Sequence, residues 1–128
     1  MIALFRSGLA CAWALAWAVP ALVHAQSSER GKQLVESRCF ACHSLDANRV
    51  GPALRGVVGR PAGKAEGFDY SPALAAATHT WDAAGIRRWL TNPEQVVPGQ
   101  KMNYRLDREE DRQDVVAYLA SLSGLTAK

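Results

Sequence analysis

The residues best suited to chemistry lie in the segment CFACH, which runs from Cys39 to His43. This segment places two thiols three positions apart and a histidine directly after the second thiol. Such a set can hold a metal ion, exchange a disulfide or attach a cofactor covalently. The third cysteine, Cys11, lies in an apolar run near the N-terminus and is interpreted as a small apolar residue. The rest of the sequence must therefore distinguish metal binding, disulfide exchange and covalent cofactor attachment.

Two of these chemistries fit the chain poorly. A dithiol redox motif needs its first cysteine at a helix N-terminus after a buried strand, and no strand-like alternation precedes Cys39. A zinc site needs four ligands, and beyond residue 25 the only cysteines and histidines are Cys39, Cys42, His43 and His79. Because Cys42 and His43 are consecutive, their side chains would diverge rather than meet at one ion.

Covalent haem fits each part of the motif. Thiols about one helical turn apart match the two vinyl groups on one edge of a porphyrin, and the imidazole that follows can turn under the ring and bind the iron. The segment CFACH therefore predicts one covalent haem c, with Cys39 and Cys42 as attachment points and His43 as an iron ligand.

The second axial ligand is chosen among three side chains. Met102 is the only methionine apart from Met1, and it ends the segment PGQKM, a loop able to lay a thioether across the ring. His79 is a rival, which would give a haem of lower potential, and Lys101 would first have to lose a proton. An open site is the remaining possibility. We expect Met102, and a haem with both axial positions filled has no vacancy for substrate, which indicates an electron carrier rather than an enzyme.

The first 25 residues read as an export signal. Arg6 supplies a positive start, an apolar run follows from Gly8, and small residues precede the expected cleavage after Ala25. The domain division is then a signal peptide at 1–25 and one domain at 26–128. An uncleaved anchor stays open, because the roughly 18 uncharged residues from Gly8 to Ala25 are marginally long enough to span a bilayer. Export agrees with covalent haem, which bacteria attach outside the inner membrane, and we expect a periplasmic protein that is not inserted in the membrane once the signal is cut.

Composition indicates one ordinary globular domain, since 48% of the 128 residues are hydrophobic and 21% are charged. Without the signal, 14 Lys and Arg (15 less Arg6) stand against 12 Asp and Glu. No basic run or interleaving with aromatics indicates nucleic-acid binding.

The elements that must position these residues are helices. A first helix is predicted from a Ser28 cap to near Cys39, a short one after a Ser71 cap with Pro72 at its first position, and a third after an Asp82 cap, ended by Asn92 and Pro93. The longest helix is expected to begin with an acidic capping box, Asp107 with Glu110. Between them the segment 48–70 is dense in glycine and proline, which predicts an ordered wrapping loop. The fold class is all-α.

With these motifs the chain resembles the class I cytochromes c, which include mitochondrial cytochrome c and soluble bacterial relatives. The match covers nearly the whole of 26–128, in order: GKQLVESRCFACH as first helix and haem attachment, NRVGPALRGVVGRPAGKAEGFDYSPAL as the haem-wrapping loop, WDAAGIRRWLTNP and VVPGQKM as third helix and methionine loop, and REEDRQDVVAYL as last helix. The resemblance implies a small cytochrome c fold of four or five helices around one haem.

The resemblance also implies roles for single residues. Cys39 and Cys42 would carry the thioethers, with His43 and Met102 as axial ligands. The Pro52 carbonyl would accept from the His43 ring N–H. Three further side chains would lie around a buried haem propionate, and these are Arg60, Tyr70 and Trp81. Gly31 and Tyr118 match the crossing of the first and last helices.

Some positions depart from the mitochondrial pattern. Trp89 stands where a smaller aromatic is usual. Arg38 and Lys101 match the basic ring around the haem edge, whereas Glu94 and Gln95 replace common lysines, which weakens electrostatic steering toward an acidic partner.

The sequence therefore predicts a monomeric, monohaem, one-electron carrier. Its partners would be a terminal oxidase, another respiratory complex or a periplasmic dehydrogenase, docking transiently at the haem edge. A haem enzyme or gas sensor with a displaceable Met102 is the alternative from another class.

Overall fold

Helices form the regular structure in the computed structural model, which describes residues 20–124. In chain order they are α1 Pro20–Leu34, α2 Pro72–Ala75, α3 Ala83–Thr91, α4 Pro93–Val96 and α5 Glu109–Ser121. Pairing of extended segments is limited, among these residues, to one antiparallel bridge between Pro61 and Thr80. The prediction of an all-α chain with four or five helices is confirmed.

The first helix begins earlier than predicted. The predicted signal peptide lies outside the described residues except for 20–25, which belong to α1, so the boundary at a Ser28 cap is wrong. Proline suits a first helical turn, where the amide N–H has no partner, and the alanines and leucine that follow it are strong helix formers. No helix within residues 20–124 is both long and apolar enough to cross a bilayer.

A π-helical turn, Val35–Cys39, continues α1 toward the candidate site. The amide of Phe40 donates to the Val35 carbonyl five residues back, at 3.2 Å, and the amide of His43 donates to the Cys39 carbonyl at 2.8 Å. The predicted end of the helical segment near Cys39 is confirmed. The helical turn therefore ends at Cys39, the first residue of CFACH.

Helices α1 and α5 cross at Gly31. A Cβ atom there would overlap the Asp114 carbonyl oxygen and lie 2.9 Å from the Cβ of Tyr118, so only glycine allows this approach. Around the crossing, the Ser27 hydroxyl donates to Asp114 Oδ1 at 2.7 Å, and Arg30 pairs with Asp114 at 2.7 Å and also with Asp111. The predicted crossing through Gly31 and Tyr118 is confirmed.

Of the three helix caps predicted after Ser28, two are confirmed and one is wrong. Ser71 accepts from the Leu74 amide at 3.2 Å to open α2, and Asp82 accepts from the Gly85 amide at 2.5 Å to open α3. The predicted box at Asp107 does not form, because α5 begins at Glu109 without a side-chain cap.

Arg112 ties the start of α5 to the loop before it. Its guanidinium donates to the Leu106 and Asp107 carbonyls at 2.6 and 2.7 Å and to Glu109 at 2.6 Å. These bonds tie the preceding loop to the first turn, so a buried cation fixes the helix start.

The segment between Phe40 and Ser71 contains no helix, which confirms the irregular loop predicted over 48–70. Gly63 shows why glycines are needed in it: its φ is +69°, and a Cβ atom would overlap the Leu74 carbonyl oxygen. The loop returns against α3 and α5 over a core of apolar side chains. These include Val35, Val58, Ala62, Trp81, Ile86, Trp89, Leu90, Val115, Val116 and Leu119.

Candidate cofactor site

The two thiols of CFACH lie on one turn of chain. The Cys42 amide donates to the Cys39 carbonyl at 3.1 Å. Cys39 is partly buried, and Cys42 is exposed. Burial first, and then the neighbouring Cys42 thiolate, raise the pKa of the Cys39 thiol to about 11. The thiol is therefore protonated at neutral pH, whereas the pKa of a redox-active cysteine is lowered.

His43 is oriented by the loop that follows it. Its Nδ1 lies 2.8 Å from the Pro52 carbonyl oxygen, and since a carbonyl only accepts, Nδ1 carries the proton. Burial lowers the pKa of His43, and the positive charge of Arg60 lowers it further, while the bond to Pro52 opposes both. A neutral imidazole with its Nε2 lone pair free is the form that binds a metal.

Gly51 supplies the surface on which the His43 ring lies. A Cβ atom on this glycine would overlap Cε1 of the ring and lie 2.6 Å from Nδ1. The Gly51 amide also donates to the Cys42 carbonyl at 2.9 Å. Gly51 was not identified as a site residue from the sequence. Its position directly before Pro52, the expected partner of His43, could have indicated that it lies near the His43 ring.

Arg49 braces the same turn from outside. Its Nη1 donates to the Phe40 carbonyl at 2.6 Å and to the His43 carbonyl at 3.2 Å. The turn that carries both thiols and the imidazole is therefore held by the loop 49–52 through side-chain and backbone bonds together.

Met102 lies partly buried against the apolar core. Its Sδ accepts a hydrogen bond from the indole Nε1 of Trp89 at 3.1 Å. Trp89 in turn makes an edge contact with Trp81, at 5.1 Å between ring centroids. Trp89 stood out in the sequence only as an unusual aromatic; its bond to the thioether depends on packing that no local pattern encodes.

Arg60 and Trp81 are brought together by backbone pairing. The Trp81 amide donates to the Arg60 carbonyl at 2.9 Å. Arg60 Nη1 donates to the Ala53 carbonyl at 3.0 Å, whereas its Nε is buried without a partner among the described residues. An arginine Nε only donates, so this atom calls for an acceptor such as a carboxylate oxygen.

Tyr70 is held within its own loop. Its hydroxyl accepts from the Ala65 amide at 3.1 Å, which leaves the hydroxyl proton able to donate. Its ring makes an edge contact with Phe68 at 4.7 Å. No hydrogen bond joins Tyr70 to Arg60 or Trp81 within residues 27–124.

The residue set suits haem. A thiol pair on one turn, a neutral imidazole on a glycine surface, a partly buried thioether and a buried cationic donor without a partner match its vinyl groups, iron and propionate. Within the described part of the chain, no three His, Cys, Asp or Glu side chains converge to hold a metal ion.

Comparison with known proteins points the same way. The family model described as Cytochrome c matches residues 28–123. Cytochrome c of Kluyveromyces lactis is 38% identical over 105 residues, covering 79% of this chain and 96% of the relative. Cytochrome c2 of Rhodopseudomonas palustris is 42% identical over 115 residues, covering 77% and 82%. The solved structure of cytochrome cH from Methylobacterium extorquens superposes with a TM-score of 0.69 at 38% identity, covering 73% of this chain and 97% of that one.

Proposed function

The chain belongs to the class I cytochromes c, monohaem electron carriers rather than enzymes, and from this premise we propose that it carries single electrons in a bacterial periplasm. The family supplies one covalent haem c. The observation that carries the residue assignments is the turn in which two thiols precede an imidazole fixed by the Pro52 carbonyl.

Four residues of this chain would hold the haem. Cys39 and Cys42 would form the thioethers, and His43 and Met102 would fill the two axial positions. Bound haem supplies an iron that alternates between ferrous and ferric states. Since His43 and Met102 occupy both faces in this proposal, no position remains for a substrate.

Support for Met102 over His79 comes from their surroundings. The Met102 sulfur lies beside buried Trp89, whereas the His79 ring packs edge-on against Trp81 at 4.6 Å. A thioether in an apolar setting favours ferrous iron and a higher potential than two histidines would give.

The surrounding side chains would tune and protect this centre. The Pro52 carbonyl keeps the proton on Nδ1 of His43 and makes the Nε2 lone pair a stronger ligand for iron. Trp89 is 8% exposed and would shield the Met102 sulfur from water. Arg60, Tyr70 and Trp81 would surround one propionate, where the Arg60 Nε and the Tyr70 hydroxyl proton are available to donate.

The proposed location rests on the N-terminal run. We propose that residues 1–25 are a signal peptide cut after Ala25, which leaves 26–128 as the exported domain. Ser27, two residues past that cut, donates to Asp114 on α5, so the proposed mature chain keeps this tie between its ends.

The proposed partners are a terminal oxidase, another respiratory complex or a periplasmic dehydrogenase. Arg38 and Lys101 are exposed and would attract an acidic surface, but the equally exposed Glu94 and Gln95 dilute that charge. We therefore propose a monomer that docks briefly at the haem edge, with a rate of association only moderately sensitive to salt.

Mass spectrometry of the exported protein tests attachment and processing together. The expected result is a mature chain beginning at Gln26 with the added mass of one haem that denaturation does not remove. Cys39→Ala and Cys42→Ala are expected to weaken attachment, whereas Cys11→Ala is the matched control and should leave the mature mass unchanged. A chain exported together with the haem-attachment machinery that still carries no haem would contradict the proposal.

A further inference from the structure

The bridge between Pro61 and Thr80 sorts the side chains around it onto two faces. The Trp81 amide donates to the Arg60 carbonyl, and the Ala62 amide donates to the His79 carbonyl, each at 2.9 Å. Pro61 and Thr80 lie opposite each other and are both exposed. Side chains alternate between the two faces along each paired segment.

The neighbours of the bridge therefore share the inner face. Arg60 lies opposite Trp81, and Ala62 lies opposite His79. The burial pattern agrees, because Ala62 is fully buried and Trp81 is 7% exposed. The His79 ring contacts the Trp81 ring edge-on at 4.6 Å. His79 is thus placed beside the two residues that the proposed function sets around a propionate.

Two nitrogens at this inner face lack protein partners. Arg60 Nε and His79 Nε2 are both buried without a hydrogen bond among the described residues. Leaving such a buried atom without a hydrogen bond destabilises the folded protein. His79 as a residue is only partly buried, because it also lines a surface cleft of about 660 Å³ with Asp82 and Arg88, but its Nε2 is closed to solvent.

We infer that His79 is a further cofactor-binding residue, which donates from Nε2 to the same haem carboxylate that Arg60 and Trp81 flank. This inference rests on the proposed function, which supplies the carboxylate. An acceptor is required because Arg60 Nε can only donate, and a carboxylate oxygen can accept from several donors at once. The imidazole N–H would supply a further donor beside Arg60.

The inference assigns His79 to the propionate and not to the iron. A donor reduces the negative charge that the carboxylate presents to the haem, so it disfavours the more positive ferric state. Losing the donor should therefore lower the reduction potential.

Two substitutions separate donation from packing. His79→Phe keeps a ring against Trp81 and removes the N–H, whereas His79→Gln keeps an N–H donor and removes the ring. We expect His79→Phe to shift the ferric-to-ferrous ratio about threefold toward ferric at a fixed applied potential, which is about 28 mV at 59 mV per tenfold for one electron. His79→Gln should restore most of the parent ratio, and Thr80→Val on the outer face should equal the parent.

The protonation of the ring is read directly by ¹⁵N NMR of the haem-loaded protein. We expect the Nε2–H tautomer, with a proton that exchanges slowly with water. The Nδ1–H tautomer would overturn the inference, and so would a potential in His79→Phe equal to that of the parent. The methionine-to-iron charge-transfer band of the same samples reports axial ligation separately, so its absence in the parent would overturn the proposed function, while the tautomer would still decide the role of His79.

Discussion

Trp89→Phe should lower the reduction potential through the loss of one hydrogen bond. The Trp89 indole donates to Met102 Sδ at 3.1 Å, and phenylalanine keeps an apolar ring but cannot donate. A sulfur that accepts this bond gives less electron density to the iron. The bond therefore disfavours the ferric state, and its removal should favour it.

The expected size follows from the strength of a single bond. A net hydrogen bond contributes about 1 kcal/mol, and about 1.4 kcal/mol is a tenfold change in an equilibrium constant. For one electron a tenfold change is about 59 mV. If the hydrogen bond contributes this full amount in the ferrous state and nothing in the ferric state, its loss lowers the potential by about 40 mV. This value is the upper limit for the contact.

Direct electrochemistry of the parent and Trp89→Phe, with the ferric charge-transfer band recorded alongside, is the assay. Trp89 is 8% exposed, so the smaller ring also leaves space in the core and should cost about 1–3 kcal/mol of unfolding free energy. Val116→Ala is the matched control, because Val116 is 6% exposed on α5 and its truncation destabilises the core without removing a hydrogen bond to the sulfur. A Trp89→Phe potential equal to that of Val116→Ala would refute the reasoning.

Three further changes test the scaffold. Gly51→Ala should displace the His43 ring, since the new methyl would overlap it. We expect the iron to lose this ligand faster on acidification, and the rise of a high-spin absorption spectrum measures that rate. Gly31→Val should lower the urea midpoint by separating α1 from the α5 backbone, while an unchanged midpoint would contradict the close crossing. The pKa of Glu109 is lowered chiefly by its bond to Arg112, so its contribution is present at neutral pH and lost as pH falls through the carboxyl range. Glu109→Gln should therefore flatten the acid limb of the stability curve, measured by urea titration at several pH values; a limb as steep as that of the parent would refute this.

Features formed by residues close together in the chain were the most predictable from the sequence. CFACH predicts its cofactor because thioether attachment and iron ligation need residues adjacent in the chain, and a helix supplies their spacing. The caps at Ser71 and Asp82 were equally local and are confirmed.

Features that depend on distant residues were less accessible. The Asp107 cap is wrong because α5 begins only at Glu109, where Arg112 donates to the Leu106 and Asp107 carbonyls and fixes the preceding loop. The pairing of Arg60 with Trp81 rests on a bridge of one residue pair, too short for any alternation to signal. The Trp89 bond to Met102 joins two elements through packing alone.

The central claim is that one methionine completes an iron site begun by CFACH. The methionine-to-iron charge-transfer band in the ferric absorption spectrum tests it most directly. We expect the band in the parent and its loss in Met102→His, with haem retained and the potential lowered. Absence of the band in the parent, together with rapid carbon monoxide binding by the ferrous protein, would contradict it, and so would a band that survives in Met102→His.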